Sequence, residues 1–298
     1  MSEAVGSTRA GFVALAGRPN VGKSTLVNGL VGRKVAIVSD KPQTTRRAIR
    51  GVATAEDSQI VLVDLPGVQR PRDALTERMQ RRVERELADS DAALMVVNGE
   101  EGVGPGDRFI AQTLRGAGVP VVLAVNKVDR LDRARTVKVL SDAAELDVGD
   151  EIFPVSARTG QGVTALRECL AGLMPESPFL FGAEERSDQS LDVTLAELIR
   201  EQVLRRTFQE VPHAVEVKVD EIEDRGDVTV IRALVWVEAE SQKGILIGSG
   251  GRMIKAVGTA ARKELERELG GRVHLDLSVR VRRGWRADEA LLDRLGIE

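Results

Sequence analysis

The eight residues Gly17-Arg18-Pro19-Asn20-Val21-Gly22-Lys23-Ser24 follow the pattern G-x-x-x-x-G-K-[ST], and they lie between an apolar run, Phe12–Ala16, and a helix-like segment, Thr25–Val31. Few folds accommodate that arrangement. A buried strand that passes through a glycine-bearing loop into a helix aims unpaired backbone N–H groups and the positive end of the helix dipole at whatever the loop encloses. Glycine is needed where φ must be positive or where a Cβ would clash, and Gly17 and Gly22 fill those positions. Lys23 brings a point charge to the β and γ phosphates, and Ser24 brings a hydroxyl to Mg2+. Arg18, Pro19, Asn20, Val21 and Thr25 complete the loop and its entry to the helix. The ligand this pattern predicts is a nucleoside triphosphate.

The rest of the first half supports that setting. Apolar runs at Ile60–Val63, Ala92–Val97, Val119–Val125 and Ile152–Val155 each precede a helix-like stretch, which predicts an α/β domain over residues 10–173 with a mostly parallel sheet and helices on both faces. Such sheets bind ligands at the carboxyl ends of their strands. Pro175-Glu176-Ser177-Pro178 ends the last helix, and the stretch 174–190 has no clear period, so it is predicted as a linker. From residue 191 the grammar changes to helix, two strands, two helices and a strand, an α+β domain over 191–298. Its first helix is predicted at Leu191–Thr207, amphipathic, and Val215, Val217 and Val219 are predicted on one strand face with Glu216 and Lys218 on the other. The last strand alternates over Val273–Val281.

A chain of 298 residues is long enough for two such cores. Its 42% apolar and 30% charged residues suit a globular protein, and no apolar run approaches the roughly 18 residues of a membrane span. Residues 1–9 have no apolar segment after a basic start, so a flexible N-terminus is expected rather than a secretory signal. One cysteine, Cys169, excludes an internal disulfide framework; it falls in an apolar helical pattern and is read as a core residue in a protein of the reducing cytoplasm. The net charge of −3 means that any nucleic-acid site must rest on local clustering.

A phosphate loop alone does not separate ATP from GTP enzymes. Asn126-Lys127-Val128-Asp129 follows the strand Val119–Val125, and a carboxylate at Asp129 can accept hydrogen bonds from guanine N1–H and its N2 amino group, donors that adenine lacks. Asp64-Leu65-Pro66-Gly67 ends another strand, so Asp64 can orient a water on Mg2+ and the Gly67 amide can meet the γ phosphate. Ser156-Ala157-Arg158 can present a backbone amide to guanine O6. Within Pro42-Gln43-Thr44-Thr45-Arg46 a threonine would complete the magnesium shell, with Thr45 preferred to Thr44.

In the second domain, Gly248-Ser249-Gly250-Gly251 carries G-x-x-G between two helices, with Arg252 and Lys255 on the turn that follows. In KH domains this loop clamps about four nucleotides of a single strand. Its position, after two strands and before a helix and a third strand, is that of a type II KH domain. Ile254, Val257, Ala261 and Leu265 are predicted as the buried stripe of the following helix, with Arg262 near the surface. Arg280, Arg282, Arg283 and Arg286 form a second basic cluster, which extends the phosphate track or coats an edge. Trp236 and Trp285 are read as core residues, and His213 and His274 are too isolated for a metal or catalytic pair.

Together these residues resemble the Era family of bacterial GTPases, over nearly the whole chain. One departure is Leu65, where that family usually has threonine. The resemblance implies a slow GTPase in which water attacks the γ phosphate, with Lys23, Asn20 and Gly67 as catalytic residues, Mg2+ on Ser24 and Thr45 with Asp64 acting through water, and segments 36–46 and 64–80 as switches. The glutamine that orients water in Ras-like enzymes is replaced here by Val68. In members of this class with asparagine at the position of Asn20, the resemblance implies K+ near the β and γ phosphates. It also implies binding through the KH domain to the 3′ end of 16S ribosomal RNA, a role in 30S subunit assembly, a monomer, and peripheral contact with the inner membrane. The rival readings are an RNA-binding assembly factor that binds guanine nucleotide without hydrolysing it, which Val68 favours, and an ATP-dependent enzyme.

Overall fold

The computed structural model describes residues 8–41, 44–67, 74–149, 151–208, 211–295 and 297. They form two compact units divided after Asp188, and the stretch Ile37–Thr44 groups with the second. Val68, Pro42 and Gln43 lie outside the described residues, as does part of each predicted switch.

The first unit runs β1 (Arg9–Ala16), α1 (Lys23–Val31), β2 (Ile49–Thr54), β3 (Ser58–Asp64), α2 (Ala74–Ala88), β4 (Ala92–Asn98), α3 (Pro105–Ala117), β5 (Val121–Asn126), α4 (Arg133–Ala144), β6 (Glu151–Pro154) and α5 (Val163–Leu173). The sheet has the order β2-β3-β1-β4-β5-β6, and only the β2–β3 pair is antiparallel. A sheet covered on both faces needs strands that are apolar throughout. β4 is buried at every position. Its Ala93, Met95 and Val97 join one core, with Val83, Ile110 and Leu114 from the helices of that side. Its Ala92, Leu94 and Val96 join the other, with Leu26, Leu30, Leu166 and Leu170. The period of two in the strand thus assigns each residue to one of two cores.

β2 was not among the predicted strands, because Ile49-Arg50-Gly51-Val52-Ala53-Thr54 carries a charge and a glycine. Gly51 is there because a Cβ would come within 3.0 Å of Val27, Val31 and Val35. Cys169 is half-buried against the second core, where burial pushes its thiol up, in keeping with the reading as a packing residue.

The stretch predicted as a linker is bound to this unit along much of its length. The Ala10 amide donates to Pro175 O at 3.1 Å, Ser177 N to Thr8 O at 3.0 Å and Val52 N to Arg186 O at 2.9 Å. Gln59, fully buried on β3, accepts from Leu180 N at 2.8 Å and Phe181 N at 2.9 Å, and donates to Phe181 O at 3.0 Å. The absence of helical or strand periodicity reflected bonding to a side chain and to strand ends rather than freedom.

The second unit runs α6 (Leu191–Arg206), α7 (Val211–Ala214), β7 (Glu216–Asp224), β8 (Thr229–Val237), α8 (Glu240–Ile247), α9 (Arg252–Leu269), β9 (Val273–Val281) and α10 (Glu289–Arg294). β8 is central, antiparallel to β7 and parallel to β9. One core joins Leu195, Ile199 and Val203 of α6, Val217 and Val219 of β7, and Val257, Ala261 and Leu265 of α9.

Two predictions fail here. α6 is not solvated on its polar side, since Glu197, Arg200, Glu201 and Gln202 are all buried. Glu216, assigned to the polar face of β7, is fully buried, whereas its neighbour Lys218 is exposed. The charges compensate one another, as buried ions must. Arg200 donates to both Glu197 oxygens, at 3.0 and 2.6 Å, and is attracted by Glu216. Trp285 packs wholly inside, with its indole N–H donating to Ala214 O at 3.0 Å, and Trp236 is nearly buried.

Replacing Gln59 with Leu would leave the backbone groups of Leu180 and Phe181 without their partner, at a cost of about 2 kcal/mol. Amide exchange should rise across residues 176–187 while β1, β3 and β4 stay protected. Unchanged exchange in that stretch would contradict the clasp.

Candidate functional site

The carboxyl ends of β1, β3 and β5 and the loop after β6, with Thr45 from the segment before β2, carry the predicted nucleotide-site residues, and five segments meet there. The phosphate loop adopts the conformation its glycines permit. Gly22 has φ 100°, and a Cβ on it would lie 2.4 Å from Asn126 Nδ2. A Cβ on Gly17 would lie 2.6 Å from Val96 O. Asn20 also has positive φ, 64°, and is exposed. α1 starts at Lys23 with no side-chain cap and no acidic residue in its first turn, so its N-terminal amides and dipole remain available to an anion.

Arg18 is fixed from outside the loop, by ion pairs at 2.9 Å to Glu101 and to the buried carboxylate of Asp107 on α3. Asp107 also accepts from Gly104 N at 2.8 Å, as an N-terminal cap of that helix. The signal for Asp107 was the run Gly104-Pro105-Gly106-Asp107, a helix start; its pairing with Arg18, 89 positions away in sequence terms, has no local trace.

Lys23 is buried, and its ammonium donates to Gly17 O at 3.0 Å and Arg18 O at 3.2 Å. Burial pushes its pKa down to about 8, against the attraction of Asp64. Burial likewise pushes the Asp64 carboxyl up, opposed by Lys23, Ser24 and Thr45. The hydroxyls of Ser24 and Thr45 lie 3.1 Å apart, and Thr45 Oγ1 donates to Asp64 Oδ2 at 3.3 Å. Asp64 Oδ1 is buried with no hydrogen-bond partner. Two hydroxyls and a carboxylate with an unused oxygen are hard donors suited to Mg2+. Thr44, by contrast, bonds Lys41 O at 2.6 Å and Ser39 Oγ at 2.7 Å. Gly67 lies against the phosphate loop so closely that a Cβ would be 2.9 Å from Pro19 N. Pro66 and Leu65 beside it are buried, and Leu65 fills the first core.

Asn126 ties the base-reading loops to the phosphate loop. Its Nδ2 donates to Val21 O at 2.9 Å, and its Oδ1 accepts from Lys127 N at 2.8 Å and Ala157 N at 3.0 Å. The Ala157 amide is thus engaged by the chain itself. Lys127, with φ 68°, reaches back to Asn20 O at 2.9 Å. Asp129 accepts from Ser156 Oγ at 2.6 Å and from Arg158 at 2.7 and 3.1 Å, and these bonds hold its carboxyl below the usual range. The guanidinium on Asp129 was not foreseen. It presents N–H groups to the carboxylate in the way guanine would.

In the second unit α8 ends at Ile247, and Gly248, Gly250 and Gly251 have φ of 72°, 59° and 76°. A side chain at any of the three is strained. Ser249 and Gly250 are exposed, Arg252 Nε donates to Ser249 O at 3.2 Å, and Lys255 is exposed one turn on. α9 has no side-chain cap and no acidic residue in its first turn. In the second basic cluster Arg282 stands 5.2 Å from the Trp236 ring and 3.8 Å from Asp288. Among the described residues no group of His, Cys, Asp and Glu is arranged to hold a metal on its own.

A mostly parallel sheet bearing these loops, followed by a helix-strand-strand-helix-helix-strand unit with an exposed G-x-x-G, defines a P-loop GTPase joined to a KH domain. Residues 12–127 match the family described as 50S ribosome-binding GTPase, and residues 210–286 match KH domains. The chain is 44% identical to GTPase Era of Lactobacillus helveticus over 291 residues, 97% of this chain and 96% of that protein. It is 45% identical to GTPase Era of Mycolicibacterium paratuberculosis over 295 residues, 97% and 98% of the two chains. A crystal structure of Era in complex with MgGDPNP and nucleotides 1506–1542 of 16S ribosomal RNA matches with a TM-score of 0.94 and 33% identity, over 97% of this chain and 99% of that one. An Aquifex aeolicus Era variant bound to GDP.AlF4- matches equally, with a TM-score of 0.94. The chain belongs to the Era family of GTPases.

The state of Lys23 yields a test. Its folded pKa lies below the ordinary 10.5, so its burial is most costly below pH 8 and that cost fades as pH rises toward 10.5. A phosphate ligand favours the ammonium form. Guanine-nucleotide binding at about pH 9 should therefore take up protons, and calorimetric enthalpies should differ among buffers of different ionisation heat; near pH 6.5 this contribution should vanish. Identical enthalpies across buffers at the higher pH would contradict the depressed value.

Proposed function

We propose that this GTPase is a switch that binds the 3′ end of 16S ribosomal RNA through its KH domain and acts in assembly of the 30S subunit. One observation carries the switch reading. Thr45 and Asp64, from the two segments predicted to respond to the γ phosphate, meet Ser24 of the phosphate loop. The RNA reading is supported by the exposed G-x-x-G with the open start of α9, and by the ribosomal RNA held by the similar Era structure.

In the proposed reaction the chain binds GTP in the loop of residues 17–25. Lys23 directs its charge at the β and γ phosphates, and the Gly67 amide donates to the γ phosphate. Asn126 and Lys127 hold the base loop against the phosphate loop, while Asp129, released from Arg158, accepts from guanine. Ser156 keeps the Asp129 carboxylate oriented while its own amide is held by Gln161 O at 2.9 Å, and the Ala157 amide meets guanine O6 by exchanging its bond to Asn126. Ser24 and Thr45 are the residues that would hold Mg2+, with Asp64 accepting from a coordinated water. When bound, Mg2+ neutralises charge on the β and γ oxygens. Water then attacks the γ phosphorus, the bond to the β–γ bridging oxygen breaks, and GDP and phosphate leave.

Asn20 is proposed to help hold K+ beside the same phosphates, where a fixed positive charge stabilises the transition state. In the KH domain Gly248 to Gly251, Arg252 and Lys255 clamp the RNA backbone. The proposed place of action is the cytoplasm, as a monomer on the small subunit. Among the described residues no helix is long and apolar enough to cross a membrane.

Asp129→Asn should move preference from guanosine to xanthosine triphosphate, because the amide donates where the carboxylate accepted. Retained guanine preference, measured by competition binding, would sink the base-reading assignment. Multiple-turnover phosphate release should be slow, rise with RNA, and be several-fold faster in potassium than in sodium. Equal rates in the two salts would remove K+ and leave the rest standing. Release indistinguishable from the uncatalysed background would favour the non-hydrolysing reading instead.

A further inference from the structure

Arg18 is the second residue of the phosphate loop, and its side chain is held by a stretch that belongs to none of the nucleotide motifs. That stretch is the turn between β4 and α3. Asn98, the last residue of β4, donates from Nδ2 to Glu101 Oε1 at 2.7 Å and accepts from Glu100 N at 3.0 Å, while Gly102 N donates to its carbonyl at 2.9 Å. Gly99 N donates to Asn126 O at 2.8 Å, so the turn is tied to the end of β5 as well.

The guanidinium of Arg18 pairs with Glu101 at 2.9 Å, donates to Gly102 O at 3.2 Å and stands 2.9 Å from Asp107 Oδ2. Its stem runs over Gly106, where a Cβ would lie 2.7 Å from Arg18 Cδ and 3.1 Å from Cγ. The contact with Asp107 differs in kind from the one with Glu101. Glu101 is exposed, and ion pairs in water contribute little, whereas Asp107 is fully buried. Asp107 Oδ1 has no hydrogen-bond partner, and among the described residues Arg18 is the one cation paired with this carboxylate. A buried carboxylate without its counter-charge is costly, so each partner fixes the other. The start of α3 does not itself require that charge, since a carboxamide oxygen can equally accept from Gly104 N.

The other end of this line of contacts is Lys23, whose ammonium donates to the carbonyls of Gly17 and Arg18. The backbone whose side chain is pinned is thus the backbone that aims the lysine. We propose that Asp107 is a positioning residue of the GTPase reaction, acting through the Arg18 side chain to hold the phosphate-loop carbonyls on which Lys23 rests. The proposal stands on the reading of residues 17–25 as the phosphate site. A loosened loop can still close around a bound nucleotide, but the transition state depends on placement to within about 1 Å.

The test uses the full chain with saturating GTP and Mg2+, and reads phosphate release per mole of bound nucleotide beside the affinity for GDP and the melting temperature. Asp107→Asn keeps an acceptor for Gly104 N and gives up the charge. It should lower kcat about tenfold and weaken GDP binding by no more than about threefold, because the loop amides and the base-reading residues remain. Arg18→Ala should lower kcat to the same extent and also lower the melting temperature, since it leaves Asp107 buried and unpaired. The double variant removes that orphaned charge. It should recover the melting temperature lost in Arg18→Ala but not the rate, which should stay within about twofold of either single variant. Gly106→Ala leaves every charge in place but sets a methyl against the Arg18 stem, and should lower kcat several-fold. Losses that multiply in the double variant would mean that the two residues act separately, and would overturn the proposal. So would an unchanged kcat in Asp107→Asn, whatever its melting temperature, since the carboxylate would then serve only the start of α3. If Asp107→Asn does not fold, Gly106→Ala decides, and an undiminished kcat there overturns the proposal. Tight GTP binding by Lys23→Met would instead remove the phosphate-site reading on which the proposal stands, a failure that none of the other variants produces.

Discussion

One carboxamide holds the nucleotide end of the first unit together. Asn126 stands at the end of β5, and its three hydrogen bonds reach the phosphate loop, the residue after it and the loop that follows β6. Each of those loops hangs from a different strand, and none is regular enough to hold itself. The carboxamide has a donor end and an acceptor end, so it can join a carbonyl to two amides at once. It also explains why Gly22 has no alternative, since the Asn126 amide nitrogen occupies the space a Cβ would take. Aspartate at 126 would lose the donor, and leucine would lose all three bonds.

The parts of this structure that were legible in the sequence are those in which chemistry is contiguous. The phosphate loop, Asn126 to Asp129, Asp64 to Gly67 and the G-x-x-G each carry their purpose in a handful of neighbouring residues, and their settings at strand or helix ends followed from apolar periodicity. Thr45 could be preferred to Thr44 but not separated from it, because only the fold brings Ser24 and Asp64 to one of the two hydroxyls. What stayed hidden depends on distant partners. The burial of Glu197, Arg200 and Glu216 is paid for by mutual pairing, and a charged residue in a helical pattern otherwise reads as a solvated one. β2 was hard to read because Arg50 and Gly51 interrupt its apolar run, although four of its six residues are buried. Gln59 gave no sign that it would stand in for a strand partner to residues 180 and 181.

The two units meet their ligands by a common device. α1 and α9 both begin after glycines in the left-handed region, and both lack the acidic or hydroxyl caps with which helices usually start. In each case the unsatisfied amides are left for an anion. The supporting sheets differ accordingly. The first is buried on both faces and rigidly shared between two cores, which suits a site whose donors must stand at fixed distances. The second is a three-stranded sheet whose last strand is only half-buried on its better face, which suits a surface that follows a flexible polymer.

The clasp of the stretch after Met174 on β1 has a mechanical side. Arg9, at the start of β1, forms a bridge with Glu176, and the other end of the same strand runs directly into Gly17. β1 is bonded in parallel to β3 on one side and β4 on the other. Tension applied to the chain beyond residue 188 first meets β2, where Gly51 bridges Ser187 and Val52 N bonds Arg186 O, and reaches β1 only at residues 175–177. The strand that leads into the phosphate loop is thus the last anchor a pull would reach, so the bonds of the clasp yield before load passes to the cradle.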